Sequence, residues 1–552
     1  MKNDSWYKEL RQETSGNHFW SRGTKINVGI ALVVVCILLG TSFGYAVTRT
    51  ITDTGDTVDT FIRNSKGNYW TINFANLQLA IYDLNSTNGG RVDVPNCNIT
   101  FTTTLKGTNN LQLQGMGKNS TIFFLNAGVN KDMINFSNCH NCLVEGIRFN
   151  FNNWSQSDTG NLSIIRMSNF CSFITIQQCS FWNGHGSMIE TGDFMHPANN
   201  ITIQDCDFHN RRQRFWGGAI SFWGSDCIAS NNFIEDMWAV AMRVHGSVYY
   251  TPYPERCIID GNIITGSCGH GIHMEYARNC TITNNIIYNL NSTAYNGYDA
   301  ATAYSSGIII GTTSLYVTVS NNYINGVKRW GISVQGPGGI VTGNTVLNYV
   351  DYGIQTYSHC SVSGNYIKAK NGVSSSVGIT ALNNCTITGN RIYAQSTTYY
   401  NQMGISVSGH CIITGNYLNN TYAGIRVDTP GKNILINDNE IINCANTAIM
   451  LNDVSFCSVS NNIINRSSLG IRIYKSHNNT ITGNILQTTS AAASSSIYED
   501  TAPANYNKIE NNNIRKCKVN TIVLIGINSY EMLVNTTTGL IGIHTGSGTI
   551  WK

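Results

Sequence analysis

The sequence predicts an all-β chain wound as a parallel β-solenoid, with one transmembrane helix at its N-terminus. Three observations carry this. A short phrase recurs every 21 to 37 residues along most of the chain. Strand-like alternation fills the intervals, and no helix-length segment separates the strands. Charged residues are 12% of the 552, against about 25% in an ordinary soluble protein. Asn, Gly, Ser, Thr and Ile take their place. Asn and Gly suit tight turns because they tolerate left-handed backbone. The net charge of +4 offers no basic field for nucleic acid.

The first element is the segment Ile26–Val47, 22 residues without a charge. It is long enough to cross a bilayer as a helix of about 20 residues. Lys2, Lys8, Arg11, Arg22 and Lys25 precede it, and only Arg49 follows closely. The excess of positive charge places residues 1–25 in the cytoplasm and the chain after about residue 48 outside a single-pass cell membrane. A cleaved signal peptide ending near Gly44–Ala46 fits less well, because the polar leader is long for one. Residues 48–70 read as a linker.

The stretch 74–90 then reads as a short amphipathic helix with Leu77, Ile81 and Leu84 on one side, stopped by Asn88, Gly89 and Gly90. Such a helix shields the open end of a solenoid from edge-to-edge pairing. The solenoid itself is expected over residues 71–518. Its phrase is apolar-x-x-Asn-x-apolar, as in NCTITNNII (279–287), NCTITGNRI (384–392) and HCIITGNYL (410–418). The Asn falls at 232, 262, 285, 322, 344, 365, 390, 416, 439, 462, 484 and 512. A second phrase, Gly-Ile, follows most turns, as in GIHM (271–274), GISV (331–334) and GIRV (424–427). One coil cannot bury its own apolar face, so coils must stack, about 4.8 Å apart. Residues 519–552 read as strands capping the far end.

These phrases resemble the right-handed parallel β-helix (PbH1 repeat) proteins of the pectin lyase-like superfamily. The resemblance spans roughly residues 90–518. It implies a single-stranded right-handed β-helix whose recurring Asn forms a ladder of side-chain amides. It implies a fold more than an activity, since the fold hosts many functions.

Cys142, Cys227, Cys257, Cys280, Cys360, Cys385, Cys411 and Cys457 all fall five residues before the turn position. They therefore share one inward column, in which Ile174, Ile201, Val317 and Ile434 alternate with them. Runs of three cannot all pair as disulfides, so buried free thiols packing as small apolar groups are expected. Metal-type Cys spacing is lacking. No cofactor is implied, and Ca2+ stays open.

A packed interior leaves only the outward faces for function. On the strand that follows each Gly-Ile, side chains alternate, which places an outward double column along the rod. Its charged rungs are Arg243/His245 and His273/Glu275, with Ser221/Trp223 one rung before. Arg243 should stack on His273, and His245 on Glu275. Trp223 offers a flat face for a sugar ring, and Asp226 and Glu190 are further candidate substrate contacts. His245 beside Glu275 could act as an acid/base pair. The β-helix resemblance places the substrate cleft on this same strand. Its polygalacturonase branch carries paired Asp before Cys-Ile-Ala, then Gly-His-Gly, then Arg-Ile-Lys. Here Ser225 replaces the first Asp, His270 lies 44 residues after Asp226, and the following coil reads GIII (307–310). His270 is read as part of a bend. A glycosidase pair also needs carboxyls about 5–10 Å apart, and only Glu275 lies on the charged rungs.

Two function classes follow. The first is a membrane-anchored cell-surface rod that binds polysaccharide or serves as structure. The alternative is a carbohydrate-active enzyme (lyase, hydrolase or epimerase) using Arg243, His245, His273 and Glu275. A trimeric spike-like assembly is a third idea, and the oligomeric state is left open. Sequons such as those at Asn98, Asn119, Asn200 and Asn291 would accept glycans on an exported chain.

Overall fold

The computed structural model describes residues 61–551, apart from 153–155, 157–161, 194, 210–217, 238–239, 249–252, 267–268, 291–304, 374, 395–400, 489–494, 501–504, 516–521, 525–528, 535–540 and 546–547. The expected transmembrane segment 26–47 and its leader lie outside the described residues. Among the described residues, no helix is long and apolar enough to cross a membrane.

The body is a parallel β-solenoid, as expected. Each coil gives one strand to each of three sheets. One coil reads Ile258–Asp260 in the first sheet, Ile263–Thr265 in the second and His270–Glu275 in the third. The next reads Thr281–Thr283, Ile286–Leu290 and Ser306–Ile310. Corresponding strands pair in parallel, without offset, as in Ile259 with Ile282 and Ile264 with Ile287.

The recurring Asn turns the chain from the first sheet to the second. That corner is buried, so its polar groups need partners. The backbone N–H and Nδ2 of Asn262 both donate to Oδ1 of Asn285, at 3.0 and 2.9 Å. Asn285 repeats this onto Asn322, and the chain of amides continues from Asn232 to Asn512. The residue before the Asn is left-handed, for instance Gly261 at φ +64° and Asn284 at φ +56°, which explains its restriction to Gly, Asn and Asp.

The Gly-Ile phrase has its own cause. A Cβ on Gly331 would stand 2.2 Å from Val346 Cγ1 and 2.5 Å from the Gly353 carbonyl oxygen. Glycine lets successive coils close over the core at that corner. The cysteine column is buried, and the described cysteines are free thiols.

The helix Phe74–Leu84 is present, capped by Asn73, whose side chain accepts from the Asn76 N–H at 2.8 Å. It buries Leu77, Ala80, Ile81 and Leu84. Phe74 starts an interior ladder that the sequence reading missed: Phe101, Phe123, Phe149, Phe181 and Phe208 follow, with ring centroids 4.8 to 5.5 Å apart. The segment read as a linker contains a hairpin, Phe61–Asn64 with Tyr69–Thr71, that extends the first sheet antiparallel to Gly90–Val94. At the other end Tyr530–Val534 joins the first sheet, and Ile541–Thr545 and Gly548–Trp551 add antiparallel strands.

Candidate functional site

The third sheet positions the outward residues. Register pairs Arg166 with Glu190, Glu190 with Ser221, Ser221 with Arg243, and Arg243 with His273. His245 pairs with Glu275 in the next column. Trp223 follows its strand directly, its backbone N–H donating to Thr191 Oγ1 at 3.1 Å. Its ring meets His245 edge-on, centroids 4.7 Å apart at 80°. Trp223, Arg243, His245, His273, Glu275 and Glu190 therefore lie on one face.

Two sequence-named residues sit outside the double column. Asp226 lies in the turn leading to the first sheet, at φ +58°, and its carboxylate is held by Arg256 through two 2.7 Å bonds. Asp226 is half of an exposed ion pair there. His270 is not in a bend. It is the first residue of its strand, with its ring 5.8 Å from that of His273. The cause is local: Gly271 and Ile272 both face the core, which turns the preceding residue outward. Trp330 and Tyr352, ahead of Gly331 and Gly353, are part-exposed in the same way, and that repeat is the signal that could have found His270.

Electrostatics single out this cluster. Burial, then neighbouring cations, hold all three imidazoles neutral. His273 is pushed down to about 3 by burial, His270, Arg243 and His245. His245 falls to about 4 through burial and Arg243, and His270 to about 4 through burial, Arg243 and Arg329. His245 Nδ1 stands 3.4 Å from Glu275 Oε2, too loosely aligned for a hydrogen bond. A neutral imidazole fits that loose contact. Burial also lowers the Arg243 pKa, while Glu275 and Glu190 act on it through space.

Glu190, 5% exposed, belongs to a network the sequence reading missed. Arg166 Nη1 bonds Glu190 Oε2 at 2.8 Å, and Arg166 Nε bonds Asp132 at 2.9 Å. Ser163 Oγ donates to Glu190 Oε2 at 3.1 Å. Burial nonetheless raises the Glu190 pKa, against the pull of Arg166.

Residues 163–310 and 248–399 match the family model described as a right-handed β-helix region. The chain is a right-handed parallel β-helix repeat protein. Residues 358–542 of this β-helix also match the model described as periplasmic copper-binding protein (NosD). No curated protein matches it by sequence. Similar solved structures include the A-module of the Azotobacter vinelandii mannuronan C-5 epimerase (15% identity, 82% of this chain and 94% of that one, TM-score 0.27). The tailspike of E. coli bacteriophage HK620, in complex with a pentasaccharide, is similar over 87% of this chain and 82% of that one (11% identity, TM-score 0.38).

The copper named by the second family does not fit the described residues. In the matched segment the thiols of Cys360, Cys385 and Cys411 are buried and donate to backbone carbonyls such as those of Ser358, Asn383 and Ser408. His359 contacts Asn384 instead. No group of three or more His, Cys, Asp or Glu among the described residues is placed to hold a metal ion.

Proposed function

We propose that this β-helix protein binds a polysaccharide strand in the outward groove of its third sheet, outside the cell, with segment 26–47 as its membrane anchor. Arg243 carries the reading. It is a half-buried guanidinium with no hydrogen bond or ion pair to a carboxylate among the described residues. The three imidazoles around it are neutral, so they do not compete with it for an anionic ligand group. Arg243 suits a sugar carboxylate or sulfate, because its planar fork matches such groups. Trp223 beside it suits the apolar face of the same ring. The description of the NosD family as periplasmic supports a location beyond the membrane.

A second reading, turnover, is favoured by one observation. His245 and His273 are unprotonated at neutral pH next to a cation that would hold a sugar carboxylate. That is the condition for a base removing a proton activated by the carboxylate. Lyase or epimerase chemistry fits this better than hydrolysis, because Glu190 is tied to Arg166.

The test is a panel of acidic and neutral polysaccharides against residues 48–552. Saturable binding that Arg243→Ala abolishes, with no new double bonds or epimerised units, supports recognition without turnover. Products that vanish in His273→Ala support the enzyme. No binding by any acidic polymer overturns both readings.

A further inference from the structure

We propose that the corner between the third and first sheets is a membrane-facing edge, along which four exposed aromatic rings rest in the headgroup layer of a lipid bilayer. This rests on the anchored reading above and adds a lipid-contacting surface on a different part of the coil. The corner residue stands directly ahead of the inward cysteine slot. Phe173 precedes Ile174, Tyr316 precedes Val317, Phe456 precedes Cys457 and Tyr506 precedes Asn507. Its backbone N–H donates to the next coil, as from Asn279 to the Leu315 carbonyl and from Phe456 to the His477 carbonyl. The corner residues therefore stack in one line.

Two features of this line call for a partner. The backbone is left-handed at all four aromatics, with φ between +55° and +59°. Asn279, Asn433 and Asn478 fill the same corner in other coils and meet that backbone at little cost. For a bulky aromatic residue it is a strained conformation. The four rings are also 55 to 64% exposed, so burial in the core does not offset the strain. Strained residues that the fold does not need, held out in water, point to a contact outside the chain.

Spacing decides the partner. Register gives five steps from Phe173 to Tyr316, six from there to Phe456 and two more to Tyr506. At about 4.8 Å a step the gaps are about 24, 29 and 10 Å. Exposed polar residues such as His359, Asn384 and His410 stand between the rings, so the line lacks the continuous apolar centre of a protein interface. A bilayer surface needs no such continuity. Each ring dips separately to headgroup level, as interfacial aromatics do, and the polar residues between them meet the headgroups. The charges on the line, Arg256 and Asp226, are paired with each other, so the contact does not depend on anionic lipid. Residues 48–60 separate the proposed anchor from Phe61 and span at most about 45 Å. That short tether makes the ring contacts intramolecular, so each can be weak.

The experiment places a photoreactive benzoylphenylalanine at Tyr316 or at Phe456 of the full chain in phosphatidylcholine vesicles. Tyr366, exposed on the second sheet, is the control position. Mass spectrometry after illumination reads lipid adducts, and a carbonate wash reads the anchor.

Adducts at both edge positions, about fivefold or more above those at Tyr366, are expected. With the probe at Tyr316, the combined variant Phe173→Asn, Phe456→Asn, Tyr506→Asn should cut its lipid adducts about fivefold or more. That variant should melt no lower than wild type, because Asn relieves the strained corners, which guards against misfolding. Edge adducts no more frequent than those at Tyr366, in a chain that resists carbonate, overturn the edge and leave the anchor standing. So do adducts to a second copy of the chain in place of lipid, or adducts that the combined variant leaves unchanged. Edge adducts in a chain that carbonate strips from the vesicles overturn the anchor alone. A chain neither retained nor labelled overturns both.

Discussion

Arg243 and His273 occupy paired positions on neighbouring strands, and the guanidinium is one of the groups that keep the imidazole neutral. The same cation acts on His245 and His270. Replacing Arg243 with Gln should therefore raise all three histidine pKa values from their present range of about 3 to 4. They should not reach 6.5, because burial is the larger cause and persists. Histidine ring NMR against pH reads this directly. Unmoved titrations in the variant would show that burial alone depresses them.

These shifts also set a pH dependence of stability. The ordinary imidazole pKa is 6.5, and the folded values are about 4, 4 and 3. Between pH 6.5 and about 4 the unfolded chain binds protons that the folded site refuses. Stability is thus full above pH 7, falls as pH drops through that window, and levels off near pH 3 as far as these groups are concerned. The melting temperature of the triple variant His245→Asn, His270→Asn, His273→Asn should fall less steeply across the window than that of wild type. Parallel curves would mean that other groups govern acid sensitivity.

The asparagine ladder makes a sharper stability prediction. Asn390 accepts at Oδ1 from the Asn365 N–H and Nδ2, and donates through Nδ2 to Asn416 Oδ1 and the Val362 carbonyl. Asn390→Ala leaves donors of Asn365 unmet in a buried corner, at roughly 1–3 kcal/mol for each orphaned group. Asn390→Asp should be worse, because its charge is buried and its second oxygen faces carbonyls. A urea midpoint that drops clearly for both variants, with Asp below Ala, is expected. A neutral Asn390→Ala would mean that water replaces the amide.

Much of this fold was legible in the sequence because a solenoid writes its constraints once per coil. The buried Asn corner and the inward cysteine slot repeat in register, so Asn285 and Cys280 could be placed from spacing alone. The pairing of Arg243 with His273 followed from the same alternation. Other features escaped for physical reasons. Gly271 and Ile272 both point inward, which breaks strict alternation and hid the outward place of His270. Asp226 stands in a turn at φ +58°, outside the alternation of the third-sheet strands. The Arg166–Glu190–Asp132 network joins residues 24 to 58 positions apart, and no short motif announces it. The phenylalanine ladder carries no polar marker in sequence.

The last prediction concerns the thiols. Attack by an alkylating reagent needs an exposed thiolate. Cys97 is the described cysteine that is not fully buried, and burial pushes its thiol up to about 11. Cys257 is enclosed in the core, and its pKa is also raised, first by the neighbouring Cys227 thiol and then by burial. At pH 8 both should react slowly with iodoacetamide, Cys257 far more slowly than Cys97. Unfolding in urea without reductant should open all fourteen described cysteines to the reagent. Peptide mass spectrometry separates the outcomes. Thiols that remain unlabelled after unfolding, and label only once reduced, would reveal disulfides between stacked coils, with Cys257 able to pair with Cys227 or Cys280 but not both.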